Sequence, residues 1–358
     1  AINGATFSKD DSLILTWSED STAQLWHAKD GSPASQPMTH RDAINGATFS
    51  KDDSLILTWS EDSTAQLWHA KDGSPASQPM THRDAINGAT FSKDDSLILT
   101  WSKDGKAQLW YAKDGLPASQ PMMHMESISG ASFCKDDSLV FTWSKEGTVQ
   151  IWNTKNGLPA FRPITLKTGI SGAIISKDGS LILTWYNDIP KGLNLWNTNS
   201  GTAQLWHTED GRSALPPMIH KDVVEGAIFS KDDSLVLTWS KDGVAQIWDA
   251  KDGLPASPPM MHWGGISGAT FCKDDSFVFT WGEDGTARLW HTKDDSPTSL
   301  TMMHKYPVKG ATFSKNDSLI LTWSNDGTAQ LWRTRNSLPT ITHKEVIIGA
   351  TFSKDDSL

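Results

Sequence analysis

Cysteine is scarce here. The 358 residues contain two, Cys134 and Cys272. Both stand at one recurring position, in separate copies of a repeat, where other copies carry Ser. A disulfide framework is therefore not expected, and nothing demands an oxidising compartment, so the expected setting is cytoplasmic. Long apolar runs are also missing. No stretch approaches the roughly 18 residues that a membrane-spanning helix needs, and no membrane span is expected. Helical periodicity appears nowhere. Positive charge is in deficit, with a net charge of −10. That balance suits a soluble globular chain and argues against nucleic acid or anionic membrane as a partner. No nucleophile elbow, phosphate loop, metal-spaced Cys/His cluster or paired-carboxylate constellation is present. The chain is accordingly read as non-enzymatic, with no catalytic, cofactor or metal residues. No signal peptide is recognisable. The chain starts without Met and inside a repeat, as expected of a piece of something longer.

What is present is one unit of 42 residues, copied about eight and a third times. Residues Ala1–Asp42 recur letter for letter as Ala43–Asp84. Such a unit is too small to bury its own apolar faces and becomes stable by packing on its neighbours. In the copy Ala43–Asp84, Ile44–Ser50 is a small-residue strand and Lys51–Ser54 a turn. Leu55–Ser60 reads as a strand buried on both faces. Glu61-Asp62-Ser63 is a tight turn, which becomes Asp104-Gly105 or Asp326-Gly327 in other copies, a strong hairpin signal. Thr64–Trp68 is the third strand. The stretch from Pro75 to His82 carries two prolines and fits only an edge strand. Each repeat is thus a four-stranded antiparallel meander. Such units repeated radially make a β-propeller, whereas a β-solenoid would need shorter coils and parallel strands.

Eight Thr-Trp strands are present, at Trp17, Trp59, Trp101, Trp143, Trp185, Trp239, Trp281 and Trp323. The expected fold is therefore all-β, a propeller of eight four-stranded blades over residues 1–345. Blades are expected near 1–42, 43–84, 85–126, 127–168, 169–222, 223–264, 265–306 and 307–345. Residues 346–358 then begin a ninth copy that matches 1–13. Its strand would compete with the first strand of the chain, which makes a strand-swapped oligomer one expected outcome. In a closed ring of eight, His343 would stand beside Asp20 and Trp26. The fifth copy carries an insert around 189–201, read either as a duplicated third strand or as a recognition loop. The eighth copy is three residues short, which should trim its outer edge.

The recurring Ser-x-Asp-Gly-Thr-Ala-x-Leu-Trp, with a His some 20 to 30 residues upstream, resembles the WD-repeat family along essentially the whole chain. Its Leu-Thr-Trp-Ser strand is similar to bacterial members. Two departures stand out. The family's Gly-His is here Met-x-His or Met-His, as at Met80–His82 and Met123-His124, and Asp follows the second Trp only once, as Asp249. The resemblance implies a structural set of His, Ser or Thr, Asp and Trp in each blade. For the second blade that set is His40, Thr58 or Ser60, Asp62 and Trp68. His82, Asp104 and Trp110, and His220, Asp242 and Trp248, would repeat it. Asp188, Asp284 and Asp326 are further equivalents, with Glu146 in the fourth copy. Eight near-copies of a triad are better read as staples than as catalytic sites.

The resemblance also implies that the outer-to-inner loops share one face. These loops differ between copies while the framework does not. Arg41, Arg83, Met125, Trp263 and Tyr306 lie in them, and Trp196 in the insert. Trp196 and Trp263 are the two tryptophans, of 18, outside the framework pairs. Large aromatics and Arg dominate interface energetics, so these six residues are the candidate partner-binding set. The expected function is a protein or peptide interaction scaffold, the recognition or sensor module of a larger bacterial protein. The alternative is a multivalent carbohydrate-binding, lectin-like propeller, which would need matching pockets in every blade.

Overall fold

The structure is a computed structural model that describes residues 2–134, 136–166, 168–188, 200–292, 297–314, 318–333 and 337–342. The core of the insert, with Trp196, lies outside the described residues, as do His343 and the ninth copy. Among the described residues every regular element is a strand. The strands form eight four-stranded sheets, each in chain order. The fold class is the β-propeller with eight four-stranded blades. The chain divides into two compact units. One spans 1–170 with 208–211 and holds the first four blades; the other spans 171–207 with 212–358 and holds the rest.

The second blade shows the pattern. Its strands are Ile44–Phe49, Leu55–Ser60, Thr64–His69 and Met80–Thr81. The first three make full antiparallel ladders, while the fourth pairs only at Thr64↔Thr81 and Ala65↔Met80. Before that it touches the third strand once, at Pro75 opposite Trp68. Proline lacks the N–H that a ladder needs, so the chain bows away between the two contacts. Three blades depart from this; in the fifth the fourth strand is Met218–His220, with three pairs. In the seventh and eighth the fourth strands are longer, Pro297–Met303 and Ser337–Thr342. The short eighth copy was expected to lose edge structure. The segment instead pairs continuously from Gln330↔Thr340 to Thr328↔Thr342, as the full-length seventh copy does from Arg288↔Thr301 to Thr286↔Met303.

Each sheet is buried by its neighbours within a unit. Ile56 and Leu57 are both 0% exposed although strand alternation points them to opposite faces. Ile56 packs with Leu15, Leu25 and Met38 of the first blade, whereas Leu57 packs with Ile86, Ile98 and Trp110 of the third. The same arrangement recurs in the second unit, where Leu237, Ile247 and Met260 of the sixth blade meet Ile266 and Val278 of the seventh. The cores therefore lie between blades. Gly46 makes close approach possible inside a blade. A Cβ there would lie 2.1 Å from Cζ2 of Trp59, so the tryptophan ring lies flat over a residue that must be glycine.

Polar clips also cross from blade to blade. The Lys51 N–H donates to Asp95 at 2.7 Å, and the Lys9 N–H to Asp53 at 2.7 Å. In the second unit the Lys231 N–H donates to Asp275 at 2.8 Å. Asp53 adopts φ 59° to do this, a left-handed conformation that Asp tolerates. The cysteines take no part in crosslinking. Cys134 and Cys272 are both free and buried, and burial pushes the Cys134 thiol up to about 12.

Because Trp110 is 5% exposed and packs on the preceding blade, Trp110→Ala should cost roughly 3–5 kcal/mol. Amide exchange should rise in the second and third blades together. Protection left unchanged in the second blade would show that the cores are not shared.

Candidate interaction site

The site is built on the polar set at each blade junction. Trp68 Nε1–H donates to Thr58 Oγ1 at 2.8 Å, and Thr58 Oγ1 lies 2.7 Å from His40 Nε2. His40 Nδ1 lies 3.1 Å from Asp62. A carboxylate only accepts, so Nδ1 carries the proton and Nε2 accepts from the Thr58 hydroxyl. The chain of donors runs Trp68 to Thr58 to His40 to Asp62. His40 follows the first blade's fourth strand, so the set joins two blades. Ser60, the other expected member, stands apart: its hydroxyl donates to the Asp42 carbonyl at 3.0 Å. A Thr-His-Asp row resembles a catalytic triad in order. Here Thr58 is 0% exposed and its oxygen is already taken by the indole N–H, so no substrate can reach it.

The arrangement recurs. His82 lies 2.8 Å from Thr100 and 3.3 Å from Asp104, with Trp110 on Thr100 at 2.8 Å. His220 lies 2.7 Å from Thr238 and 3.5 Å from Asp242, with Trp248 on Thr238 at 2.8 Å. His262 with Asp284 and His304 with Asp326 follow at 3.1 and 3.7 Å. Two expected members do not join. Glu146 is one methylene longer than Asp, and its carboxyl lies beside that of Glu126 rather than on a histidine; the neighbouring carboxyl raises its pKa. Asp188 is drawn into an extended hairpin, opposite Ser200, instead of a tight turn. Leu166 also stands at that junction's His position, so the fifth blade keeps only the Trp206–Thr184 bond, 2.9 Å long.

The same Asp has a second task. Asp62 accepts the backbone N–H of Arg41 at 2.8 Å, and Asp104 that of Arg83 at 2.9 Å. In the second unit Asp242 accepts from Lys221, Asp284 from Trp263 and Asp326 from Lys305, at 2.8 to 3.1 Å. The residue after each of these histidines is thus held by its backbone while its side chain stays exposed. Arg41 and Arg83 are exposed. Met125 is 99% exposed, Trp263 92% and Tyr306 51%. Met125 and the two arginines lie in the first unit, Trp263 and Tyr306 in the second. Recurrence alone marked the side-chain set. The bond to a backbone N–H leaves no trace in the sequence, because any residue supplies it.

Burial lowers the pKa of His40, His82, His262 and His304, and their carboxylate partners oppose the shift only in part. His124, which lacks an acid partner, is lowered by burial to about 4. For Asp62, burial works to raise the pKa, but bonds from Thr64 and the Arg41 N–H, with the His40 ring, bring it below the usual value. Among the described residues no group of His, Cys, Asp and Glu could hold a metal ion, and no helix is long and apolar enough to cross a membrane.

A pH dependence follows from the histidines. The unfolded chain takes up a proton at His124 near pH 6.5, and the folded chain only near 4. Stability is therefore full above 6.5, falls as pH drops from 6.5 to about 4, and loses nothing more from this group below that. The loss from His124 should be up to roughly 3 kcal/mol. Urea midpoints between pH 7 and 4 should fall, and His124→Gln should flatten the fall. An equal slope in the variant would show that His124 does not carry it.

A model of the WD domain, G-beta repeat family (WD40) matches residues 32–69 and 74–111. No curated protein sequence matches the chain. Solved structures do. The computationally designed Ika8 protein superposes with a TM-score of 0.69 at 21% identity, over 93% of this chain and 96% of that one. The C-terminal WD40 domain of Sif2 superposes with a TM-score of 0.67 at 17% identity, over 89% and 91%. Neither bears on the expected likeness to bacterial members. WD40 propellers generally serve as protein-interaction scaffolds and are generally non-catalytic. With this blade anatomy throughout the described residues, the chain has the β-propeller fold, and it carries WD repeats of the G-beta type at residues 32–69 and 74–111.

Proposed function

We propose that this chain is a non-catalytic platform for a protein or peptide partner, bound by the connections between one blade's fourth strand and the next blade's first. The carrying observation is the contrast at the residue after the junction histidine. At Arg41, Arg83, Lys221, Trp263 and Lys305 the backbone is fixed by the framework Asp while the side chain changes from Arg to Lys and Trp; the exposed Met125 takes the same place in the copy that has Glu146 for Asp. Met125, Trp263 and Tyr306, with Arg41 and Arg83, are the leading contacts; Trp196 is a further candidate. An asymmetric set suits one asymmetric partner. Residues 1–345 would act as the binding domain of a larger, cytoplasmic protein, a setting that suits two unpaired buried thiols.

One observation favours the carbohydrate reading as the alternative. Two cavities of about 620 Å³ lie at repeat-equivalent places, one lined by Asp11, Ser12, His27 and Lys29, the other by Asp53, Ser54, His69 and Lys71. The histidine position becomes Tyr111, Asn153, Asp249 and Arg333 in other copies, which speaks against equal sites throughout. A glycan array separates the two readings.

A displayed random-peptide library panned on the purified chain tests the first. Selected peptides should lose about 2 kcal/mol of affinity, roughly thirtyfold, on Trp263→Ala, with the urea midpoint unchanged. Undiminished affinity across Met125→Ala, Trp263→Ala and Tyr306→Ala would place binding elsewhere.

A further inference from the structure

One blade breaks the repeat at a position that should be invariant. Seven copies carry Gln in the middle of the third strand, and the seventh blade carries Arg288. The glutamines bond within their own blade. Gln66 Nε2 donates to the Ser77 carbonyl at 2.7 Å and Gln246 Nε2 to that of Ser257 at 2.6 Å. Arg288 reaches the other way. Its Nη1 donates to the Met261 carbonyl at 2.6 Å, on the preceding blade's fourth strand, and Nη2 to Asp284 at 3.4 Å. Asp284 in turn accepts from His262 and from the Trp263 N–H. Met261, His262 and Trp263 are thus each tied down, and the last of them presents an indole that is 92% exposed. A rigid aromatic loses little freedom on binding.

The surroundings extend this anchor. A Cβ on Gly264 would lie 3.3 Å from the Asp284 nitrogen, and one on Gly285 would lie 3.2 Å from the Tyr306 carbonyl. The turn 283–285 is therefore flanked by the Trp263 connection on one side and the Tyr306 connection on the other. Met261 and Met303, 58% and 68% exposed, precede these connections. The charges nearby run against the chain's net −10. The Asp242, Asp284 and Asp326 carboxylates are occupied by histidines and backbone N–H groups, and Lys241 is paired with Glu225 at 3.3 Å. Lys221, Lys305 and Lys309 are exposed, as is Glu283, while the Asp222 carboxylate accepts the Val223 N–H at 2.7 Å. The patch thus combines exposed apolar side chains with three exposed lysines, and Glu283 lies between the two connections.

We infer that this patch of the second unit takes an acidic peptide segment of a partner protein. An apolar side chain of that segment packs on Trp263 and Tyr306, and its carboxylates meet Lys305, Lys309 and Lys221. Arg288 is a positioning residue that holds the Trp263 backbone for this contact. The inference rests on the interaction reading above and adds the partner's chemistry.

The test uses a fluorescein-labelled decapeptide of Glu residues around two central Leu, and a second peptide with Lys for every Glu. Fluorescence anisotropy should show binding of the acidic peptide only, weakened by added salt. Affinity should fall at least thirtyfold for Trp263→Ala and about tenfold for Arg288→Gln. Gln at 288 is what seven other blades carry, so folding should be kept, as an unchanged urea midpoint would show. In the Trp263→Ala background Arg288→Gln should cause no further loss, since its action runs through Trp263. Equal binding of the Lys peptide overturns the acidic class while leaving the interaction reading standing. Acidic binding that ignores Trp263→Ala overturns the site. A full additional loss in the double variant overturns the role of Arg288. Absence of binding by either peptide, when library peptides do bind at Trp263, overturns the inference alone.

Discussion

Every blade depends on the apolar face of the blade beside it. Ile56 and Leu57 are consecutive, both fully buried, and belong to different cores. A single four-stranded meander would leave one such face in water. At ~25 cal/mol per Å² of apolar surface, exposing a row of Leu, Ile, Met and Trp side chains outweighs what one small sheet can gain alone. The repeat is the consequence. Once one sheet presents a face of this shape, the partner that fits it is another copy of the same sheet.

The polar set works within that apolar packing. A buried hydroxyl, indole N–H and imidazole each need a partner, and the row from Trp68 to Asp62 satisfies all of them in sequence. Because His40 comes from the preceding blade, the row also fixes the angle at which the chain leaves one sheet for the next. Where a member changes, the rest of the junction adjusts. Glu146 lies beside Glu126, and the His124 pKa is lowered by burial alone. Leu166 stands where the imidazole would be, and an extended hairpin replaces the tight turn.

Strand order, hairpin turns and the Pro-bearing edge were legible because each has a local cause. Asp-Gly makes a turn, Pro makes an edge, and alternation of Leu, Ile and Thr makes a buried strand. The choice of Thr58 over Ser60 was not legible, since both lie on one side of the strand; the reach of the indole decides it. The failures at Glu146 and Asp188 were hidden for a related reason. One depends on a methylene and the other on an insertion that moves the turn, and a motif match registers neither. The Lys51–Asp95 clip was hidden because its donor is backbone. Of the candidate contacts, exposure of Met125, Trp263 and Tyr306 follows from their loop positions. The grip of Arg288 on Met261 could have been suspected from the single Arg among seven Gln, although the direction of its reach could not.

A backbone bond from Asp to the residue after the histidine places no demand on that residue's side chain. Arg, Lys and Trp therefore occupy the position with the same hydrogen bond and the same loop path. Stability and recognition are separated at adjacent atoms: the N–H belongs to the framework and the side chain to the surface. Substitutions there cost the fold little, so a chain of near-identical blades can diversify these connections while its cores stay constant. Arg288 departs from that division, because it alters a framework position in order to stiffen a surface one.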